Sequence, residues 1–239
     1  MSTEREKQIL EILLKEKKVG VPQLAKALFV SEPSVRRDLQ SLEKKNLIKR
    51  VHGGAVLEEN ALSKNKIPFL IREYEQSGAK AMIAQKAIQL ICDGDVVFLD
   101  ASTSCYYLIP FLASKSNITV ITNGVKTLIK LAEYGIHTIS TGGALLNNCM
   151  ALVGEEAYKT IETYHADIAL FSCRGVSDDG YLTDISPEEN CVRKKMIRHA
   201  QKAYLLCASD KMGKHYFHHL CHKDEINGII REEREHGNL

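Results

Sequence analysis

Arg37, Gln40 and Lys44 recur at spacings of three and four in SEPSVRRDLQSLEKKNLIKRVHGGAVL, residues 31–57. At about 100° per residue they share one face of a helix, with Ser34, Arg36 and Ser41 on its flanks. These side chains are donors suited to phosphate oxygens and base edges. The opposite face carries Val35, Leu39 and Leu42 at i, i+4 and i+7 and therefore packs inward. Ser31 is a good N-cap and Pro33 is tolerated in the first turn, so the helix starts just after Ser31. Lys44, Lys45 and Asn46 close it with positive charge and a stop residue. Two short runs, 48–51 and 55–57, are joined by His52-Gly53-Gly54, which predicts a hairpin with Arg50 and His52 near its tip.

A second set of groups stands further along the chain. Asp100-Ala101-Ser102-Thr103-Ser104, Thr122-Asn123-Gly124, Thr141-Gly142-Gly143, Arg174-Gly175 with 180–184, and Ser209-Asp210-Lys211 each follow a short β-branched run. Hydroxyls, glycines and a helix N-terminus at one edge make an anion site, because free N–H groups and the helix dipole favour phosphate. Acidic and amide groups such as Asp100 and Asn123 suit sugar hydroxyls. A phosphorylated sugar fits both halves. Ser, Thr, Asn and Gly are also ordinary cap and loop residues, but five such loops in succession at one edge favour a pocket.

The elements that must position these groups follow from periodicity. REKQILEILLKEKK carries a broad apolar stripe, Val21-Pro22 opens a second helix, and Val19-Gly20 read as a short link between them. Three helices and a hairpin make a winged helix-turn-helix over residues 1–57. The polar stretch 58–68 ends in a proline and reads as a linker. Residues 69–239 then form an α/β domain. It opens with an amphipathic segment, 69–95, with Met82, Ile83, Ala87, Leu90 and Ile91 as its apolar positions and a break at Ser77-Gly78. Strands DVVFLD, ITVIT, HTIS, ADIALFS and AYLLCAS alternate with helices near 104–113, 125–133, 154–163 and 187–200, and a polar loop follows HTIS. Such alternation predicts a mostly parallel sheet, with ligands beyond the carboxyl ends of its strands.

At 239 residues, 44% hydrophobic and 26% charged, the chain has the composition of an ordinary soluble protein. No run approaches about 18 apolar residues and the N-terminus is too charged for a signal peptide, so no membrane association and a cytoplasmic location are expected. Seven scattered cysteines without a CxxC read as reduced, buried thiols. Net charge is +2, but residues 1–57 hold 12 Lys/Arg against 7 Asp/Glu, hence +5, and the remainder 20 against 23, hence −3. Positive potential thus collects on the part expected to meet nucleic acid.

Val30-Ser31 through Val35-Arg36-Arg37-Asp38-Leu39, then Leu42-Glu43, then Arg50-Val51-His52-Gly53-Gly54-Ala55, resemble the signature of the DeoR family of bacterial transcription regulators. Ser34 stands where family members more often carry Thr. The resemblance extends to Asp93-Gly94-Asp95, the loop from Asp100 to Ser104, Thr122-Asn123-Gly124, Thr141-Gly142-Gly143, and Lys211 with Gly213. It implies a sensor domain related to ribose-5-phosphate isomerase-type folds. It also implies a regulator, usually a repressor, of carbohydrate utilisation, released from its double-stranded operator by a phosphorylated sugar and assembled as a dimer or tetramer. Two departures are Ala208, where members commonly have an acidic residue, and the ending IIREEREHGNL, where relatives continue with a further helix and strand. A sheet one strand short, or an unusual end, is expected.

The expected contacts are therefore Ser34, Arg36, Arg37, Gln40, Ser41, Lys44, Arg50 and His52 for DNA. For the effector they are Asp100, Ser102, Thr103, Ser104, Thr122, Asn123, Gly124, Gly142, Gly143, Arg174, Asp184 and Lys211. No cofactor, metal or catalytic residue is expected. The rival reading is a sugar-phosphate isomerase using Asp100, Asp184, Glu188 and Lys194 for proton transfer beside a carbonyl. It is disfavoured because a DNA-reading module has no role in simple isomerisation, and because Glu188, Glu189, Arg193, Lys194 and Lys195 also read as an ordinary charged helix face. His215, His218, His219, Cys221 and His222 lack regular ligand spacing and read as a His-rich polar loop rather than a zinc site.

Overall fold

The computed structural model describes residues 2–45, 47–57 and 69–232. The chain divides into two compact units, 1–75 and 76–239.

In the first unit α1 (Ser2–Glu16), β1 (Lys18–Gly20), α2 (Val21–Ala27), α3 (Glu32–Lys44), β2 (Ile48–Val51), β3 (Gly54–Leu57) and α4 (Phe69–Tyr74) follow in order. Ser31 is the N-cap of α3 and Pro33 lies in its first turn, as expected. Val35, Leu39 and Leu42 are buried against Ile9, Leu10, Leu13, Leu24, Ile48 and Ala55. The 18–20 stretch is not a link. It is a third strand of an antiparallel sheet ordered β1-β3-β2, with Val19 opposite Ala55 and Val19 buried. Gly54 permits this pairing, since a Cβ there would lie 2.2 Å from the Val19 carbonyl oxygen. Ile71 of α4 is buried in the same core, so the division falls after Glu75 rather than at the expected 68/69. Ile71 finds its cover among Ile9, Leu10 and Leu13 of α1, which a reading of composition could not decide. The expected linker 58–68 lies outside the described residues.

The second unit contains α5 (Ser77–Ala87), β4 (Val96–Leu99), α6 (Thr103–Tyr106), α7 (Ile109–Leu112), β5 (Thr119–Thr122), α8 (Val125–Glu133) and β6 (His137–Ser140). Then come β7 (Ala144–Leu146), β8 (Ala151–Val153), α9 (Glu155–Glu162), β9 (Ala166–Phe171), β10 (Gly175–Val176) and β11 (Tyr181–Asp184). α10 (Pro187–Arg198), β12 (Ala200–Leu206), β13 (His218–His222) and β14 (Gly228–Ile230) complete it. Six strands form one sheet in the order β14-β12-β9-β4-β5-β6, and each neighbouring pair is parallel. Both faces are covered: Val97 and Leu99 pack with Ile83, Ala87 and Leu108 on one side, and Phe98 packs with Ile161, Val192 and Met196 on the other. Alternate residues of a strand point to opposite faces, so a strand buried on both sides reads as a continuous apolar run.

Four sequence expectations change here. The break before α5 falls at Gln76, which adopts a left-handed conformation (φ 52°). Met82 and Leu90 are exposed, and the core positions are Ile83, Ala84, Ala87, Ile88 and Ile91. The loop after HTIS contains the β7–β8 hairpin. Most of the His-rich segment is not a loop: residues 218–222 form β13, which pairs with β11 in a small antiparallel sheet, β10-β11-β13. β14 forms one edge of the main sheet, and the residues beyond 232 lie outside the described part. Among the described residues no helix is long and apolar enough to cross a membrane.

Candidate functional site

The outward face of α3 is built as its spacing requires. Arg36, Arg37, Gln40 and Lys44 are exposed, Ser34 and Ser41 half-buried, and Arg50 and His52 exposed on the wing. Arg37 Nη2 donates to Ser34 Oγ (3.3 Å), and Arg36 pairs with Glu32 one turn earlier (3.3 Å). Three acidic residues of this unit, Asp38, Glu6 and Glu43, are drawn into pairs that join its elements. Arg5 of α1 grips both oxygens of Asp38 on α3, at 2.5 and 3.0 Å. Lys45 donates to Glu6 of α1 at 2.6 Å. Glu43 Oε2 accepts from Arg50 Nε at 2.6 Å, and its Oε1 accepts the backbone N–H of Arg50 at 3.0 Å. With those carboxylates engaged, the surface presented by Arg37, Gln40 and Lys44 is cationic. The sequence reading missed the Arg5–Asp38 pair, although Asp38, three residues after Val35 and four before Leu42, falls on the inward face.

In the second unit the parallel sheet brings the ends of β4, β5, β6, β9 and β12 to one edge. From β4 the chain steps outward through β5 and β6, then crosses over to β9, β12 and β14. The topological switch therefore lies between β4 and β9, where open α/β sheets form their ligand crevice. Asp100 follows β4 and Ser172 follows β9, and Asp100 Oδ2 accepts the Ser172 N–H at 3.3 Å.

Around this point stands a buried ionic network. Arg193 of α10 is fully buried, and its Nε donates to Asp100 Oδ2 (2.8 Å), Nη1 to Asp184 Oδ2 (2.8 Å) and Nη2 to Glu189 Oε1 (3.2 Å). Burial works against its charge, but Asp184, Glu189 and Asp100 outweigh that and hold its pKa well above the ordinary value. Burial likewise opposes the Asp100 carboxylate, yet Arg193 and the Ser102 N–H (2.9 Å) keep its pKa below the usual range. Cys149, on the β7–β8 hairpin, donates to the second oxygen of Glu189 (3.1 Å). Arg174 Nε lies 3.7 Å from Asp184 Oδ1. Glu189 and Arg193 are thus not part of an exposed charged helix face, as their sequence context suggested.

The remaining expected residues divide into engaged and unpaired groups. Ser102 caps α6, its Oγ accepting from Cys105 N (3.2 Å). Thr103 is buried. Thr122 Oγ1 accepts the Gly124 N–H (3.1 Å), and Asn123 Nδ2 donates to the Leu152 carbonyl (3.0 Å). Gly124 lets the chain pass close to Ala101: a Cβ would lie 2.6 Å from Thr127 Oγ1 and 3.0 Å from Ala101 Cα. Gly142 and Gly143 both have positive φ, and a Cβ on Gly143 would meet the Val153 carbonyl at 2.4 Å. Lys211 Nζ donates to Ser172 Oγ (2.9 Å) and the Cys173 carbonyl (2.8 Å), which leaves a third N–H. Ser104 Oγ, Asn123 Oδ1 and Thr127 Oγ1 are buried without a hydrogen-bond partner among the described residues. Unmade bonds of this kind cost about 1–3 kcal/mol each, and a polar ligand would satisfy them. Ser172, Thr127, Glu189 and Arg193 belong to this region and were not expected from sequence.

Burial lifts the Cys173 thiol to about 12, the Cys207 thiol to about 11 and the Cys221 thiol to about 12, so these groups are protonated. Cys92 and Cys191 are exposed, contrary to the expectation of burial. His219 stacks against Tyr181 with ring centroids 4.7 Å apart, and His222 Nε2 lies 2.9 Å from the Asp179 carbonyl oxygen. Among the described residues no group of three or more His, Cys, Asp or Glu is arranged to hold a metal ion.

A winged helix-turn-helix with a cationic outer helix face, together with a parallel α/β unit holding unpaired buried polar groups just after β4 and β5, defines a transcription regulator with a sensor domain. The chain belongs to the DeoR family. Residues 5–61 match the DeoR-like helix-turn-helix domain and residues 75–233 the DeoR C-terminal sensor domain. It is 33% identical over 230 residues to the HTH-type transcriptional regulator YulB of Bacillus subtilis, covering 96% of this chain and 88% of that one. It is 30% identical over 236 residues to the L-fucose operon activator of Escherichia coli, covering 98% and 97%. Among solved structures, eIF2B delta from Chaetomium thermophilum aligns over 74% of this chain and 62% of that chain, with 21% identity and a TM-score of 0.51, a likeness of fold. A family of named regulators carrying this DNA-binding domain replaces the isomerase reading.

Proposed function

We propose that this protein is a cytoplasmic repressor of a carbohydrate-utilisation operon, whose operator affinity is controlled by a phosphorylated sugar bound at the switch point of the parallel sheet. DNA is held by the α3 face, with Arg36, Arg37 and Lys44 on phosphates or guanine edges, Gln40, Ser34 and Ser41 adding base-edge or backbone contacts, and Arg50 and His52 of the wing on the backbone or minor groove. A homodimer or tetramer pairs two such faces on a two-fold operator.

One observation carries the effector assignment: buried polar atoms stay unpaired among the described residues on Ser104 in the first turn of α6, on Asn123 in the loop after β5, and on Thr127 in the first turn of α8. Asn123 Oδ1 calls for a donor such as a sugar hydroxyl, and Ser104 and Thr127 accept or donate. Lys211 supplies the cation for the phosphate, with Ser102, Thr103, Thr122, Gly124, Gly142, Gly143 and Arg174 around it. Asp100 and Asp184 act through Arg193, since their oxygens are already bonded to it. The L-fucose operon activator is named for sugar metabolism, which supports a sugar ligand here. Binding alters DNA affinity only to the extent that the ligand prefers one state of the assembly.

The test is a thermal-shift screen of hexose, pentose and triose phosphates, each beside its unphosphorylated sugar and inorganic phosphate. One phosphosugar should raise the melting temperature in a saturable way and weaken binding to operator DNA. Stabilisation by none of them would reject the effector assignment.

A further inference from the structure

Asp38 of α3 is buried on Arg5 of α1, but Glu43 stands in the last turn of α3 between two groups that are themselves cationic, Lys44 and the wing strand β2 with Lys49 and Arg50. A carboxylate there repels DNA phosphates, so its presence asks for a reason. β2 is the outer strand of the β1-β3-β2 sheet, and the N–H of Arg50 is directed away from β3 to Glu43 Oε1 at 3.0 Å. The other carboxylate oxygen takes Arg50 Nε at 2.6 Å. One side chain of the helix therefore closes the open edge of the wing as a neighbouring strand would. Two bonds from one carboxylate to one residue fix both the distance and the twist of the wing against α3. These bonds, the backbone one foremost, also hold the Glu43 carboxyl below its ordinary pKa, so it is ionised at neutral pH.

We propose that Glu43 is a positioning residue: it sets the wing against the helix that reads DNA, so that sequence-specific binding depends on a carboxylate that by charge alone disfavours DNA. This rests on the assignment of the α3 face and wing to DNA. A pair this exposed contributes little to stability; its value lies in geometry, because helix and wing must meet the same duplex together. Arg50 keeps its terminal nitrogens for a phosphate while its Nε is held.

The experiment uses the full-length protein, a duplex recovered by selection from a random-sequence pool, and a scrambled duplex of equal length. Binding is followed by fluorescence anisotropy over a salt series. Glu43→Gln, which keeps an acceptor for the Arg50 N–H but loses the ion pair, should weaken the selected duplex several-fold and leave the scrambled duplex unchanged or slightly tighter. Glu43→Ala, which loses both bonds, should weaken the selected duplex by tenfold or more. Arg50→Ala should add less in the Glu43→Ala background than it does alone. A merely structural defect would lower both affinities in parallel and would not separate the duplexes. Equal tightening of both duplexes by Glu43→Gln would overturn the proposal and make Glu43 a repelling charge only. A change of preference at one base pair would overturn it in favour of direct base reading. Arg37→Ala with Lys44→Ala serves as the control on the underlying assignment: if neither duplex is affected, the face itself is wrongly placed and the inference falls with it, whereas failure of the Glu43 variants alone leaves the face standing.

Discussion

Arg193 Nε and Asp100 Oδ2 meet at 2.8 Å although 93 residues separate them in the chain, and both are buried. The contact ties α10 to the loop after β4 at the switch point of the sheet. Around it Asp184 and Glu189 complete a set of three carboxylates on one guanidinium. Removing the cation leaves those carboxylates buried and uncompensated. Arg193→Met should destabilise the sensor unit by about 3–5 kcal/mol, read as a lowered urea midpoint. Arg193→Lys should recover only part of it, since a single ammonium cannot reproduce the planar fork.

The same pair predicts an acid transition. Burial opposes the Asp100 charge, yet its folded pKa lies below the ordinary value because Arg193 and its hydrogen bonds prevail. A depressed folded value means that the stabilisation is present above the unfolded pKa of about 3.9 and is lost as pH falls through the folded value. Melting temperatures should be flat with respect to this group from about pH 7 to about pH 5 and should fall below about pH 4. A loss of stability from this pair on going up from neutral pH would contradict the sign.

Thr127→Val removes a buried hydroxyl that has no partner among the described residues and replaces it with a group of similar shape. The free protein should be unchanged or more stable by up to about 1 kcal/mol, while stabilisation by the proposed phosphosugar effector should be reduced. Asn123→Ala should lose more, because it also abandons the Leu152 carbonyl. Thermal shifts with and without effector separate these outcomes.

Arg37 and Lys44 are exposed on the outward face of α3. If each meets a phosphate, alanine at either position should weaken DNA binding across sequences and lower the slope of log K against log salt by about 0.9. A guanine contact by Arg37 would instead appear as about 1–3 kcal/mol of lost discrimination at one base pair. Titrations at several salt concentrations distinguish the two.

Leu39 is buried beneath that face. Leu39→Ala should cost about 2–5 kcal/mol in the first unit, seen as an earlier denaturation of that unit and weaker DNA binding.

Much of this protein is local and was therefore legible. The period of Val35, Leu39 and Leu42, the cap at Ser31 and the glycines at 53 and 54 determined helix α3, its cationic side and the wing, because each depends on neighbours within a few residues. Alternating apolar runs likewise determined the parallel strands and the loops at their ends. What tertiary structure alone decided was which charged groups meet one another. Asp38 meets Arg5, Glu43 meets Arg50 and Arg193 meets Asp100, Asp184 and Glu189. A charged residue in a helix reads as solvated until a partner from a distant segment arrives to offset its desolvation, and no spacing along α10 announces the loop after β4. The third strand at 18–20 and the cover for Ile71 were settled in the same way, by which apolar surface folding brought opposite them.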